Sequence, residues 1–203
     1  MSGPAPAAAL RLRRAGAAAL LLAASAACTA EATPSGGGQP SPFADCTALT
    51  APPPSASASP PAVPVSGLPD LRLTCFTGEE PVALRDLRGP AVINVWASWC
   101  GPCRTELPVM QTLADRAAGR LTVLGVDTGD RRDAGASFAA DKGVAMPTLF
   151  DPDRKLITAL TVTGLPVTIF LDAAGRSHVY ARPLDATSLA AQVRTHTGVT
   201  VTL

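Results

Sequence analysis

The sequence predicts an α/β domain, on three observations. Apolar runs rich in β-branched residues alternate with segments of helical period over the part of the chain that follows Leu68. A Cys-Gly-Pro-Cys tetrad, Cys100 to Cys103, stands where one such run passes into a helix. A second apolar run follows that helix, and the strand–helix–strand order implies a right-handed parallel crossover. The 20 prolines are unevenly spread. Proline and serine crowd into residues 33–69, which leaves roughly 135 residues for a core, enough for one stable domain.

The elements follow in order. Leu71–Phe76 and Pro81–Leu84, joined through Gly78, form a short hairpin, and Asp86–Gly89 turns into the core strand Ala91–Ala97. From Arg104, residues Leu107, Met110, Gln111, Leu113, Ala114 and Ala117 recur at helical spacing; Pro108 kinks this helix and Gly119 stops it. Leu121–Asp127 is the second core strand. A helix over Asp133–Lys142, a short strand Thr148–Phe150 and a short helix Lys155–Val162 come next. Pro166 opens the strand 167–172, Ala173-Ala174-Gly175 turns into Arg176–Ala181, and Asp185 caps a last helix reaching Thr197.

The tetrad carries the chemistry. Cys100 lies near a helix N-terminus, where unpaired backbone N–H groups and the positive end of the helix dipole favour a thiolate. Zinc sites use the same spacing, but a structural zinc needs a second ligand pair. The remaining candidates, Cys28, Cys46, Cys75, His178 and His196, do not supply one, so no metal is assigned and the two histidines are given no functional role. A formal net charge of +1, with no basic patch, gives no reason to expect a nucleic-acid partner.

Trp96-Ala-Ser-Trp99-Cys100-Gly101-Pro102-Cys103 resembles the active site of the thioredoxin fold, and Arg104-Thr-Glu106-Leu-Pro108 resembles its TlpA/ResA-like branch. Gly164-Leu165-Pro166-Val-Thr-Ile-Phe-Leu-Asp172 resembles the family's second landmark, a cis-proline before a strand. The resemblance runs from about Leu68 to about Gly198. It implies a thioredoxin fold with an N-terminal hairpin extension and an insertion, over 128–162, between the second core strand and the Pro166 strand. It also implies an extracytoplasmic thiol-disulfide oxidoreductase that needs no bound cofactor, acts on protein thiols and disulfides, runs in the reducing direction and works as a monomer. A membrane or extracytoplasmic redox partner would recharge it, and cytochrome c maturation apo-proteins are the substrates the family suggests.

Residue by residue, the resemblance makes Cys100 the exposed nucleophile and Cys103 the buried resolving thiol. Thioredoxin proper carries an aspartate at the place held here by Asn94, which cannot ionise. Glu106 follows Cys103 by one helical turn, on roughly the same face, and takes the role of proton acceptor that the branch gives a glutamate there. Trp99, Gly101, Pro102, Leu165 and a cis Pro166 form the surface that receives the substrate strand, with Trp96 in the core.

The five cysteines also mark the chain's start. Arg11, Arg13 and Arg14 precede a short apolar run, Ala15–Ala24, too short to span a membrane and patterned as a signal peptide over residues 1–27. Ser25-Ala-Ala-Cys28 matches a lipoprotein box with serine where leucine is usual, so Cys28 is either lipidated, anchoring an exported chain, or lost as the signal is cut from a secreted one. Residues 28–66 are too rich in Pro, Ser and Gly to fold alone and read as a tether before a domain at 67–203. A free thiol is unusual outside the cytoplasm, so Cys46 is expected to pair with Cys75. Two rival functions stay open: a Cu(I) metallochaperone holding the metal on both thiolates, without the downstream histidine such proteins use, and a thiol peroxidase, which needs a threonine and arginine around its cysteine.

Overall fold

The computed structural model describes residues 40–50 and 66–203; the expected signal peptide, Cys28 and most of the expected tether lie outside them. The described residues belong to one compact unit. Its sheet is built from β1 (Arg72–Cys75), β2 (Pro81–Ala83), β3 (Ala91–Trp96), β4 (Thr122–Thr128), β5 (Thr148–Asp151), β6 (Val167–Leu171) and β7 (Ser177–Tyr180), in the spatial order β2-β1-β5-β4-β3-β6-β7. The pairs β3–β4 and β4–β5 are parallel, and all other neighbours are antiparallel. Helices α1 (Thr47–Thr50), α2 (Gly101–Ala117), α3 (Arg132–Asp141), α4 (Lys155–Ala159) and α5 (Ala186–Thr197) complete it.

β3 is buried along its whole length, as a central strand covered on both faces must be. Its side chains alternate between two cores. Val92 and Trp96 join Leu107, Met110, Leu189 and Val193 beneath α2 and α5. Ile93 and Val95 join Leu124, Val126, Leu156 and Ile157 on the other face. Gly125 interrupts the apolar run of β4 because a Cβ there would come within 2.9 Å of the Trp96 indole nitrogen and 2.8 Å of Thr148 Oγ1. Asp185 caps α5 in a reciprocal capping box with Ser188, and Gly198 closes that helix in the left-handed conformation.

The expected hairpin forms, and its β1 pairs antiparallel with β5 of the insertion, through Thr74↔Phe150 and Cys75↔Leu149, so one extends the sheet along the other. Two expectations are corrected. The short helix expected to Val162 ends at Ala159. The domain also begins before residue 67. Phe43, Cys46 and Leu49, placed in the tether by local composition, are buried, with Phe43 edge-on to Phe76 at 4.7 Å. The Ala44 N–H donates to the Ala145 carbonyl and the Thr77 hydroxyl to the Phe43 carbonyl. Apolar contact with a distant part of the chain outweighs local composition here.

Cys46 is bonded to Cys75, with the Cα atoms 5.9 Å apart and a sequence separation of 29. A loop of that length stabilises the folded state by about 3–4 kcal/mol through the entropy removed from the unfolded chain. Urea denaturation of a Cys46→Ala/Cys75→Ala variant should show a loss of that order, with a higher m-value because the unfolded chain without the cross-link exposes more surface. A loss below about 1 kcal/mol would make the bond incidental to stability.

Candidate active site: the cysteine pair and a buried glutamate

β3 and α2 place the cysteine pair. Cys100 is the N-cap of α2, in extended backbone, and its sulfur accepts the Cys103 N–H at 3.3 Å. Pro102 occupies the first turn, where its missing N–H costs nothing. The helix therefore starts at Gly101, a turn earlier than the periodicity from Arg104 suggests, and it carries Pro108 in its interior. The two cysteines are disulfide-bonded, Cα to Cα 5.3 Å.

Cys103 is 1% exposed. Cys100, expected to be open to solvent, is only 5% exposed, because the disulfide faces the apolar cluster that contains Trp96, Ala97 and Leu107. Trp99 carries the exposed surface instead, at 58%, with its indole N–H donating to the Gly129 carbonyl at 3.0 Å. Trp96 is fully buried, as expected. Register brings the second landmark to the same end of the sheet. Val167 pairs with Val95, so Leu165 and Pro166 lie beside the point where β3 delivers the pair. Leu165 packs against the cluster holding both cysteines, and the Leu165–Pro166 peptide is cis, as is Gly89–Pro90.

Glu106 is buried, at 2% exposure, and held by three donors. Its Oε1 accepts from the Asn94 side-chain amide at 2.9 Å and from the Thr168 hydroxyl at 3.1 Å; Oε2 accepts the Leu184 backbone N–H at 3.1 Å. Burial is the largest influence on its pKa and raises it. The hydrogen bonds from Leu184, Thr168 and Asn94 act against burial, and the outcome is a carboxyl pushed up from 4.5 to about 7. One side of Glu106 faces a cleft of about 450 Å³ between the head of α2 and the start of α5, walled by Pro102, Val109, Pro183 and Leu184.

Asn94, noted in the sequence only as a residue that cannot ionise, is thus the donor that fixes the acid. A polar side chain in the middle of an apolar run signals an inward-facing partner. Thr168 carried a weaker signal, two residues after Pro166 and on the same strand face. The Leu184 N–H carried none. His178 and His196, given no role, stack face to face at 3.7 Å, away from the pair. Among the described residues no group of three or more His, Cys, Asp or Glu side chains is placed to hold a metal ion, and no helix is long and apolar enough to cross a membrane.

A disulfide-closed cysteine pair at the head of a helix, central in a mixed sheet and facing a cis-proline, defines a thioredoxin-like protein. Residues 66–176 match the AhpC/TSA family, and the chain belongs to that family. It is 30% identical over 102 residues to the thiol-disulfide oxidoreductase ResA of Bacillus subtilis, a match covering 49% of this chain and 57% of ResA. Over 123 residues it is 34% identical to the thiol:disulfide interchange protein HelX of Rhodobacter capsulatus, covering 59% of this chain and 68% of HelX. The solved structure of MTB dsbF superposes with a TM-score of 0.58 at 26% identity, covering 63% of this chain and 96% of that one. The chain therefore spans little more than half of ResA and about two thirds of HelX.

The raised pKa of Glu106 has a sign that can be read in stability. The folded carboxyl binds its proton more tightly than the unfolded one, so its contribution is fully present below pH 4.5 and is lost as pH rises through about 7. In urea denaturation, the stability of the oxidised protein relative to its Glu106→Gln variant should fall by about 3 kcal/mol between pH 4.5 and pH 8, as the shift in acidity sets the size of the effect. A difference constant across that range would mean that Glu106 ionises as an ordinary surface acid.

Proposed function

We propose that this protein is an exported thiol-disulfide oxidoreductase that reduces protein disulfides through Cys100 and Cys103. The observation that carries the reading is the joint placement of a cysteine pair at a helix N-terminus and a buried acid, one turn further on, with a proton affinity near neutrality. The names of the relatives ResA and HelX support the same chemistry.

The electrons run as follows. In the reduced protein the Cys100 thiolate, stabilised by the N–H groups at the head of α2, attacks one sulfur of a substrate disulfide. A mixed disulfide forms and the first substrate sulfur leaves as a thiolate. Cys103 gives its proton to Glu106, and the new thiolate attacks the Cys100 sulfur. The second substrate sulfur leaves, and the protein is left with its Cys100–Cys103 disulfide. Two electrons have passed to the substrate, and a redox partner carrying a dithiol must return them. Glu106 suits the step in which Cys103 is deprotonated and, by microscopic reversibility, its reverse; the reducing direction follows the resemblance to the TlpA/ResA-like branch and is set by the reduction potential of the pair. Trp99, Gly101, Pro102, Leu165 and Pro166 form the surface on which the substrate strand docks. Cys28 carries the lipid that anchors the protein, as a monomer, to the outer face of the cell membrane.

The reduced protein should reduce insulin disulfides. Cys103→Ser should accumulate mixed disulfides on a non-reducing gel, and Cys100→Ser should accumulate none. Glu106→Gln should slow exchange near pH 7 while leaving the gel pattern of the cysteine variants intact. Equal trapping by the two cysteine variants would overturn the roles assigned to them. Retention of Cu(I) without insulin reduction, or consumption of peroxide in its place, would move the protein to one of the rival classes. The anchor is tested separately: labelling with a radioactive fatty acid should mark the exported chain and be lost in Cys28→Ala, and equal labelling of the two would remove it.

A further inference from the structure

A cation stands where the electrostatics of a helix disfavour one. Arg104 closes the first turn of α2, at the positive end of the helix dipole, where an acid is the favourable choice. Although exposed, its side chain folds back on the head of its own helix. The guanidinium lies 4.4 Å over the ring of Phe138, on α3, and donates to the Ser98 carbonyl at 3.0 Å. Phe138 is itself buried against Trp96, with the ring centroids 5.9 Å apart. A side chain that could be fully hydrated is thus committed to the turn that delivers Cys100.

That turn is held from two sides. Between a strand and a helix, backbone polar groups have left the sheet ladder and not yet entered the helix, so other partners must satisfy them. The Ser98 N–H donates to Oδ2 of Asp130, in the segment after β4, and the Ser98 carbonyl accepts from Arg104. Beside Asp130, the Gly129 carbonyl accepts the Trp99 indole N–H at 3.0 Å. Cys100 follows at once. Its N–H donates to the Ala97 carbonyl at 3.1 Å, and its sulfur accepts the Cys103 N–H at 3.3 Å. The residue two places before the sulfur is therefore gripped by one guanidinium and one carboxyl.

The other charged groups at this end are committed elsewhere. Arg131 pairs with Asp133. Arg132 donates to the Phe76 carbonyl at 2.7 Å and lies over the rings of Phe76 and Phe150. Glu106 is held by Asn94, Thr168 and the Leu184 N–H. Asp127, in β4, is a second buried acid. Burial first, and the Asp130 carboxyl second, push it up to about 9, while the Arg132 guanidinium pulls the other way, so Asp127 carries no charge near neutrality. Among the described residues, Arg104 is the cation that donates to the turn before Cys100.

We propose that Arg104 is a positioning residue for Cys100, acting with Asp130 as the two sides of a clamp on the Ser98 peptide. With both sides in place, the turn keeps the Cys100 sulfur over the N–H groups at the head of α2, where a thiolate is favoured. With either side removed, the turn is released and the thiolate loses part of that support. The charges of the two residues are opposite, which separates a clamp from a field. On charge alone, loss of the cation disfavours the thiolate and loss of the acid favours it. The clamp makes both losses act in the same direction. The inference rests on Cys100 being the reactive thiol of the exchange reaction, but its test needs no protein substrate.

The measurement is the rate at which iodoacetamide alkylates Cys100 in the reduced full chain, followed from acid to alkaline pH, with the site identified by peptide mapping. The midpoint of that profile reports how tightly Cys100 holds its proton. Arg104→Met, which keeps the length of the side chain and removes the donor, should raise the midpoint by about half a pH unit, the lower part of the range for one hydrogen bond. Asp130→Ala should raise it too, and the double variant should raise it by less than the two single shifts together. Asp130→Asn, whose amide oxygen can still accept the Ser98 N–H, should stay at or below the wild-type midpoint. A lowered midpoint in Asp130→Ala would mean that charge alone acts, and would overturn the proposal. So would single shifts that add in full, or an Asp130→Asn midpoint raised as far as that of Asp130→Ala. An unmoved midpoint in Arg104→Met overturns it equally, even with a rate changed by one factor at every pH, which is the mark of a merely loosened structure. A failure of the exchange reading itself would appear instead as wild-type protein that alkylates at Cys100 yet does not reduce insulin.

Discussion

One buried carboxyl ties the active end of this molecule together. Glu106 comes from α2, Asn94 from β3, Thr168 from β6 and the Leu184 N–H from the turn before α5, and all three donors converge on its two oxygens. Each partner stands on a different element, so the position of the helix that carries the cysteines is fixed against both central strands and against α5. A carboxylate removed from water needs such partners to stay within reach of ionisation. Here they offset enough of the burial cost to leave the group near neutrality rather than permanently protonated.

The placement of charge along β3 follows from the same constraint. An acid on the strand and another on the helix would put two like charges a few ångströms apart in an apolar setting, and one of them would be driven to stay protonated. With asparagine at 94 the strand supplies a donor instead of a second charge, and the titrating function rests on the helix alone. The amide is therefore as much a part of the acid's chemistry as the acid itself.

Much of this was legible in the sequence, and the exceptions share a cause. Strands such as Ala91–Trp96 and Thr122–Thr128 announce themselves as β-branched runs, and the Cys100–Cys103 spacing with Glu106 one turn on follows from helical geometry. What local pattern does not carry is contact between distant segments. Phe43 sits in a stretch whose composition says tether, and only its packing against Phe76 reveals it as core. The pairing of β1 with β5 joins two segments each too short to declare a partner. Cys100 reads as exposed because helix N-termini usually are, whereas its disulfide turns inward against the cluster around Trp96. Asp127 reads as the polar end of an apolar strand, and its burial depends on the glycine that α3 places over it.

The two buried acids divide the electrostatic work at this end of the sheet. Asp127 lies well above neutrality and Glu106 close to it, so near pH 7 Asp127 contributes no charge and Glu106 is divided between its two forms. In the proposed exchange reaction the proton released by Cys103 passes to Glu106 or to solvent, with the Cys100 thiolate opposing a second negative charge. Groups coupled this closely titrate as a set, and the acidity governing exchange belongs to the set rather than to one member. Moving the proton from Cys103 to Glu106 turns a thiol and a carboxylate into a thiolate and a carboxylic acid, without changing the net charge of the site. The resolving step is therefore spared the cost of adding charge to an apolar cluster, which is a physical reason for burying the acceptor beside the pair instead of leaving the task to water.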